Sequence, residues 1–291
     1  MAATKTPKPK GSGGRPDIAT IGGLVLAFSG ILGGFLLEGG SIRDVAQFTA
    51  GMIVLGGTLG AVIVTTPITV LIKAAKKLPL VFFEKTQSAE AVIEEIIGYA
   101  TKARKSGMVS LEQDTQTIAD PFLKKALNLA IDGMELKELR SMMELEIGLE
   151  EQYAEEEAKV YESAGGYAPT IGIIGAVLGL IQVMKNLANI EEVGRGIAVA
   201  FVATVYGVGS ANIFFLPAGN KLKARMRRAI HLRELVLEGV SGIVEGLNPK
   251  LIRSKLEAYA REESSKKNAK VAKPAKEKPA GAQAAPAAAK S

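Results

Sequence analysis

The chain has no cysteine, no tryptophan and one histidine, His231. Without cysteine there is neither a disulfide framework nor a thiolate metal site. His231 stands among Arg227, Arg228 and Arg233, so a histidine metal cluster or a Ser–His relay lacks its second member. No phosphate-binding glycine loop, metal-ligand spacing or nucleophile–base set is present. The chain therefore reads as a non-enzyme without metal or cofactor, and nucleic acid is not among its expected partners. A last absence carries the most weight: four long apolar runs hold no Asp, Glu, Lys or Arg in their middles.

Hydrophobic residues make up 47% of the 291, and the mean hydropathy is positive, which is unusual for a soluble chain of this size. The excess is concentrated in blocks at 18–37, about 46–72, about 164–184 and about 197–218. Each supplies the roughly 20 residues that a helix needs to cross the hydrocarbon core. The opening, Met1 to Arg15, is basic and rich in Pro and Gly, the order of a secretory signal. The run that follows is too long for a signal core and lacks a clean cleavage site, so it reads as a retained first membrane helix. The expected fold is all-α: a polytopic membrane protein with four transmembrane helices and a helical cytoplasmic domain between the second and third.

Lysine and arginine mark the cytoplasmic side. They cluster in the N-terminal arm (Lys5, Lys8, Lys10, Arg15), after the second run (Lys73, Lys76, Lys77) and after the fourth (Lys221, Lys223, Arg225, Arg227, Arg228), while the other two connections carry only Arg43, Lys185 and Arg195. Both termini are thus expected in the cytoplasm, in an inner-membrane, multi-pass arrangement. The divisions follow: a basic arm at 1–16, helices one and two at 17–72, a cytoplasmic helical region at 73–163, helices three and four at 164–219, C-terminal helices at 220–263 and a disordered Lys/Ala/Pro tail at 264–291. Residues 78–162 hold 18 acidic against 9 basic side chains, opposite in sign to the whole chain. Ser110 with Gln113 fits a capping box and Asp120–Pro121 a helix start, Gly133 and Gly148 interrupt good helix formers, and Asn248–Pro249 breaks the last helical pattern.

In lipid, helices associate through small residues. Gly172, Gly175, Ala176 and Gly179 lie on the third helix, and Ala203, Gly207 and Ala211 on the fourth. For this pair a surface facing other subunits is expected. For Gly30–Gly34 and Gly56–Gly60 on the first pair, packing within the chain is expected. Thr170, Thr204, Tyr206, Ser210 and Asn212 need partners inside a membrane; they satisfy backbone carbonyls or line a wet path. Pro169 and Pro217 mark helix ends or hinges. A relay of ions through a membrane generally uses a carboxylate, and these helices have none. If ions pass, a second protein brings the acid.

Three segments carry a family resemblance. Ala168-Pro-Thr-Ile-Gly-Ile-Ile-Gly-Ala-Val-Leu-Gly-Leu-Ile-Gln resembles the third helix of MotA and PomA proteins. Ala200-Phe-Val-Ala-Thr-Val-Tyr-Gly-Val-Gly-Ser-Ala-Asn, continuing to Phe215-Leu-Pro217, resembles their fourth, and Arg104-Lys-Ser-Gly-Met-Val-Ser-Leu-Glu112 resembles their cytoplasmic charged motif. The likeness spans about residues 17–255. It implies a flagellar-motor stator subunit: a homo-oligomer, a ring of five, around two copies of a MotB-type peptidoglycan-binding partner whose membrane Asp takes up the ion, pushing the rotor protein FliG. By the same likeness Arg104 and Glu112 are the rotor-facing charges, Pro169 and Pro217 the coupling prolines, and Thr204, Ala176 and Tyr206 lie near the ion path. Ala176 stands where sodium-type relatives carry threonine, which favours protons. Membrane lipid is the remaining partner, with the basic tail one candidate contact. The alternative is an ExbB/TolQ-like or gliding-type energiser of another load, though those relatives generally have three membrane helices.

Overall fold

The computed structural model describes residues 15–84 and 88–271. A two-residue strand β1 (Arg15–Pro16) leads into α1 (Ile18–Leu37), a helical turn at Ile42–Val45, and α2 (Phe48–Thr65). Then come α3 (Ile68–Lys77), a turn at Pro79–Phe82, strand β2 (Phe83–Glu84), α4 (Ala89–Ser106), a 3₁₀ turn at Met108–Leu111 and a further turn at Glu112–Thr115. The chain finishes with α5 (Pro121–Ile131), α6 (Leu136–Lys185), α7 (Ile190–Val244) and α8 (Pro249–Val271). Helices α1, α2, α6 and α7 are long and apolar enough to cross a membrane, which makes this an all-α polytopic membrane protein.

The first apolar run and α1 coincide. The second does not: the expected span to residue 72 stops at Thr65, because Thr66 turns extended (φ −131°, ψ 133°) ahead of Pro67. A residue before proline is pushed out of the α region by the ring. The apolar residues beyond, with Lys73, Lys76 and Lys77, belong to the separate amphipathic helix α3.

Helices α6 and α7 run to 50 and 55 residues, roughly 75 and 80 Å at 1.5 Å per residue. Their connection at 186–189 is short, and Asn189 caps α7 by accepting from the Glu191 N–H, so the two pack antiparallel. Gly148 lies inside α6 without interrupting it. Gly133, by contrast, has φ +78° and ends α5. The capping box at Ser110 and Gln113 does not form. Ser110 Oγ instead donates to the Gly107 carbonyl at 2.6 Å, because Gly107 (φ +81°) has already turned the chain. The Asp120–Pro121 start forms as expected: Asp120 Oδ1 accepts from the N–H groups of Phe122 and Leu123. Asn248–Pro249 separates α7 from α8, after Gly246 at φ +69°. The expected change to a structureless tail at 264 falls inside α8, which continues to Val271; residues 272–291 lie outside the described residues.

Apolar burial occurs at three levels. Away from the membrane, Ile96, Leu111, Leu123, Leu127, Leu139, Met143, Leu235, Ile252 and Leu256 close a core among α4 to α8. Below the bilayer, Ala74, Val81, Ala158, Tyr161, Ala218 and Leu222 form a second cluster, in which Tyr161 donates to the Ala74 carbonyl at 2.9 Å. Within the membrane, Ala50 and Val54 of α2 pack on Val202 and Ala203 of α7. Helix α1 has no buried residue.

Candidate functional site

The membrane portions of α6 and α7 meet through the small residues noted in the sequence. A β-carbon built on Gly172 would lie 2.9 Å from the Ala203 carbonyl oxygen, one on Gly179 2.8 Å from both Gly196 O and Ala200 N, and one on Gly207 2.6 Å from Ala168 O. Only hydrogen fits these places, and the resulting backbone contact is what holds helices together where lipid supplies no hydrophobic drive. The two expectations for the small residues are therefore reversed. The α6–α7 stripe is a seam within the chain. At Gly30, Gly34, Gly56 and Gly60 a β-carbon would have nothing within 4 Å, so these positions do not pack α1 on α2.

Both prolines sit inside continuous helices, not at helix ends. Pro169 lies within α6, and the contacts Ala168–Gly207 and Gly165–Leu216 put it level with the stretch Ser210–Phe215 of α7, which is π-helical. Pro217 stands two residues after the end of that stretch, behind Leu216. A proline withholds the N–H that the carbonyl four residues back would receive, and a widened turn just before it is a usual accommodation. A second π-helical stretch, Met52–Gly56, occurs in α2. The seam thus holds two proline-loosened helices face to face.

Each membrane polar group singled out from the sequence finds a backbone carbonyl. Thr170 donates to Tyr167 O, Thr204 to Ala200 O, Ser210 to Gly207 O and Asn212 to Val208 O, at 2.8 to 3.2 Å. Tyr206 donates across to Val45 O at 2.5 Å and packs near Gly51, so its ring turns toward α2. Ala176 and Thr204 are half-buried on the edge of the seam, beside the open face made by Ile173, Val177 and Leu180 of α6 and Phe201, Val205 and Val208 of α7. The structure brings Ala176 and Thr204 to one seam and directs Tyr206 elsewhere. Sequence reading missed Thr58 of α2, which is fully buried with a hydroxyl lacking a hydrogen-bond partner among the described residues.

At the polar end, Arg104 closes α4 and Glu112 opens the turn beyond Gly107; both side chains are exposed and neither enters an ion pair among the described residues. The pair that spans this corner is Lys102 Nζ with Asp114 Oδ2, 2.7 Å apart. It went unnoticed because the twelve-residue separation has meaning only once Gly107 folds the chain back.

Two carboxylates are buried near the membrane boundary: Glu157, whose Oε2 lies 2.5 Å from Lys77 Nζ, and Asp17. Asp17 caps α1 by accepting from the Thr20 N–H, and its Oδ2 lies 2.5 Å from Lys221 Nζ and 2.9 Å from an Arg225 nitrogen. The Lys221 contact, with the Thr20 N–H and Arg225, outweighs burial and holds the Asp17 carboxyl well below the usual carboxylate range. The Asp17 N–H donates to Phe82 O, Arg225 also donates to Phe83 O, and β1 pairs antiparallel with β2. These bonds fasten the base of α1 to α7. Among the described residues, no group of His, Asp or Glu could hold a metal.

Four membrane-length helices, two of which meet through a glycine-lined seam, define a polytopic α-helical membrane protein. Residues 21–107 match the motility protein A N-terminal family, and 114–235 match the MotA/TolQ/ExbB proton channel family. The chain is 35% identical over 250 residues to motility protein A of Bacillus subtilis, covering 84% of this chain and 90% of that protein. It is 31% identical over 246 residues to chemotaxis protein PomA of Vibrio alginolyticus, covering 84% and 96%. Two solved structures share the fold at 34% identity each. The C. jejuni MotAB structure has a TM-score of 0.80 and covers 84% of this chain and 95% of its own; the flagellar MotAB stator complex from Bacillus subtilis has 0.77, covering 87% and 98%. The chain belongs to the MotA/PomA family of flagellar-motor stator subunits.

Proposed function

We propose that the chain forms a ring of five around two copies of a MotB-type, peptidoglycan-anchored partner, with both of its own termini in the cytoplasm, and that the assembly passes protons and turns against the rotor protein FliG. The single observation that carries this is the carboxylate-free membrane region. A proton relay needs a group that changes charge within the bilayer, and here the partner's acid supplies it. Ala176 and Thr204 lie beside its path. The methyl group at Ala176 offers no oxygen to sodium, which favours protons. Protonation of the partner's acid removes a charge, changes its contact with the α6–α7 seam and shifts the ring toward its next position. Each charge crossing supplies about 2.3 kcal/mol per 100 mV, so many crossings make one revolution. Pro169 and Pro217 give the seam its compliance, and Arg104 and Glu112 present unpaired charge to the rotor.

The test is reconstitution. Liposomes holding this chain with its partner are expected to conduct protons, while the chain alone stays tight. Conduction by the chain alone overturns the reading.

A further inference from the structure

Away from the seam, α1 stands nearly alone. It has no buried residue, and a β-carbon on Gly22, Gly23, Gly30 or Gly33 would meet nothing within 4 Å. Lipid tails are as apolar as leucine, so such a helix gains little by packing on its neighbours. Its base is fastened through Asp17. Beyond that bond a slot of about 340 Å³ opens between α1 and α7. Gly23, Leu24 and Ala27 of α1 and Ile213, Phe214 and Pro217 of α7 line it, and Thr20 with Lys221 stands at its polar end.

We propose that this slot binds an anionic phospholipid of the leaflet adjoining the polar end, with one acyl chain between α1 and α7 and the phosphate on Lys221. The slot lies within one chain, so the proposal does not depend on the ring reading above. Its length selects a lipid. The lining runs from Ala19 to Ala27 on α1 and from Lys221 back to Asn212 on α7, about 12–14 Å at 1.5 Å per residue. That is close to half of the roughly 30 Å hydrocarbon core, the depth that an acyl chain of one leaflet covers. A membrane helix of a second copy crosses the whole core and needs a groove about twice as long.

Charge selects the headgroup. Asp17 touches two cations, Lys221 and Arg225, and neutralises one of them, so these three groups leave a surplus positive charge at the mouth of the slot. The Lys221 side chain is 32% exposed, against 8% for Asp17. An ammonium carries three donors, and the Asp17 contact takes one. The Arg225 guanidinium is turned to Asp17 and to the Phe83 carbonyl, which makes Lys221 the group presented to a phosphate. Farther in, the slot suits a hydrocarbon chain. Asn212 at its far end donates to the Val208 carbonyl at 2.9 Å, and the lining between Asn212 and the mouth is apolar.

The test uses the complex with the MotB-type partner, in vesicles that carry a trace of phosphatidylglycerol or of phosphatidylcholine with a diazirine in the acyl chain. On illumination, adducts are expected to concentrate on 19–27 and 212–221, above their density on the outer half of α1, where Ile31 and Leu36 are exposed. Phosphatidylglycerol is expected to label the two segments about fivefold more than phosphatidylcholine, the preference that one lysine gives beside anionic lipid, and Lys221→Gln to abolish that excess. Gly23→Leu fills the slot without touching the anchor and is expected to cut labelling of 212–221 by both lipids. Gly30→Leu, in equally open space but off the slot, is expected to leave it unchanged. Equal yields from the two lipids, an excess that survives Lys221→Gln, labelling no denser than on the outer half of α1, or full labelling of the Gly23→Leu variant overturns the proposal. Protection of both segments in the assembled complex, the result of a second copy seated there, overturns it as well.

Discussion

A β-carbon on Gly207 would stand 2.6 Å from the carbonyl oxygen of Ala168, the residue that precedes Pro169. The tightest of the glycine contacts with backbone between α6 and α7 thus lies one residue from a proline. Gly207→Ala forces the helices apart by several tenths of an ångström where α6 already lacks a backbone bond. Overpacking of this kind costs about 1–3 kcal/mol. Thermal unfolding of the detergent-solubilised complex is expected to fall by several degrees, with swimming lost. Gly209→Ala, whose β-carbon meets nothing, is expected to change neither, and equal behaviour of the two would remove the seam from the mechanism.

Thr58 gives the opposite sign. Its hydroxyl is fully buried in α2 without a partner among the described residues. Thr58→Val keeps the shape and removes an unsatisfied polar group, a replacement that is near neutral or stabilising by about 1 kcal/mol. The complex is expected to melt at the same temperature or higher and to support normal swimming. A clear loss of swimming with unchanged melting would give that hydroxyl a role in ion passage.

The anchor of α1 depends on charge. Removing the Asp17 carboxylate leaves Lys221 and Arg225 facing each other in a largely buried place, and stripping one partner from a buried pair costs about 3–5 kcal/mol. Asp17→Asn is expected to raise hydrogen exchange at 79–84 and at the start of α1 while the distant core at Leu127 and Leu235 stays protected. The pH sign follows from the lowered carboxyl. The anchor's contribution is complete above the ordinary aspartate value of about 3.9 and is lost only as pH falls below it toward the folded value. Exchange at 79–84 is thus expected to be flat from neutral pH down to about 4, after correction for intrinsic rates. A rise near pH 6 would assign the fastening to another group.

How much of this was legible in the sequence depends on the range of each interaction. The four membrane helices could be read because bilayer thickness fixes a run length that local composition reports. Asp120 could be read as a cap because its bonds reach only three residues. The break at Thr66–Pro67 was available too, and continuous apolarity across it concealed it. Which small-residue face met which helix could not be read, since Gly30 and Gly172 look alike in one dimension and differ only in what stands opposite. Asp17 escaped notice for the same reason: its partners lie more than 200 residues away. Arg104, Glu112, Ala176 and Thr204 came from the resemblance, and the structure adds that the first two are exposed and the last two share a seam edge.

The charge pair at the polar tip separates torque from assembly. Arg104 and Glu112 are exposed and outside the core that Leu111 enters, so Arg104→Glu is expected to leave expression, melting and copy number unchanged. Surface substitutions of this kind stay within about 0.5 kcal/mol. Lys102→Glu is a different case, because it breaks the 2.7 Å pair with Asp114 that folds the corner. A rotor contact makes Arg104→Glu reduce swimming, and a matching charge reversal on the rotor side restores it. A structural role makes Lys102→Glu the more damaging change, with no rescue from the rotor. Because the two residues lie two positions apart on α4, general disturbance of the tip affects both alike, and only charge recognition by another protein gives rescue at one and not the other. Normal swimming by the Arg104→Glu variant removes it from the rotor surface.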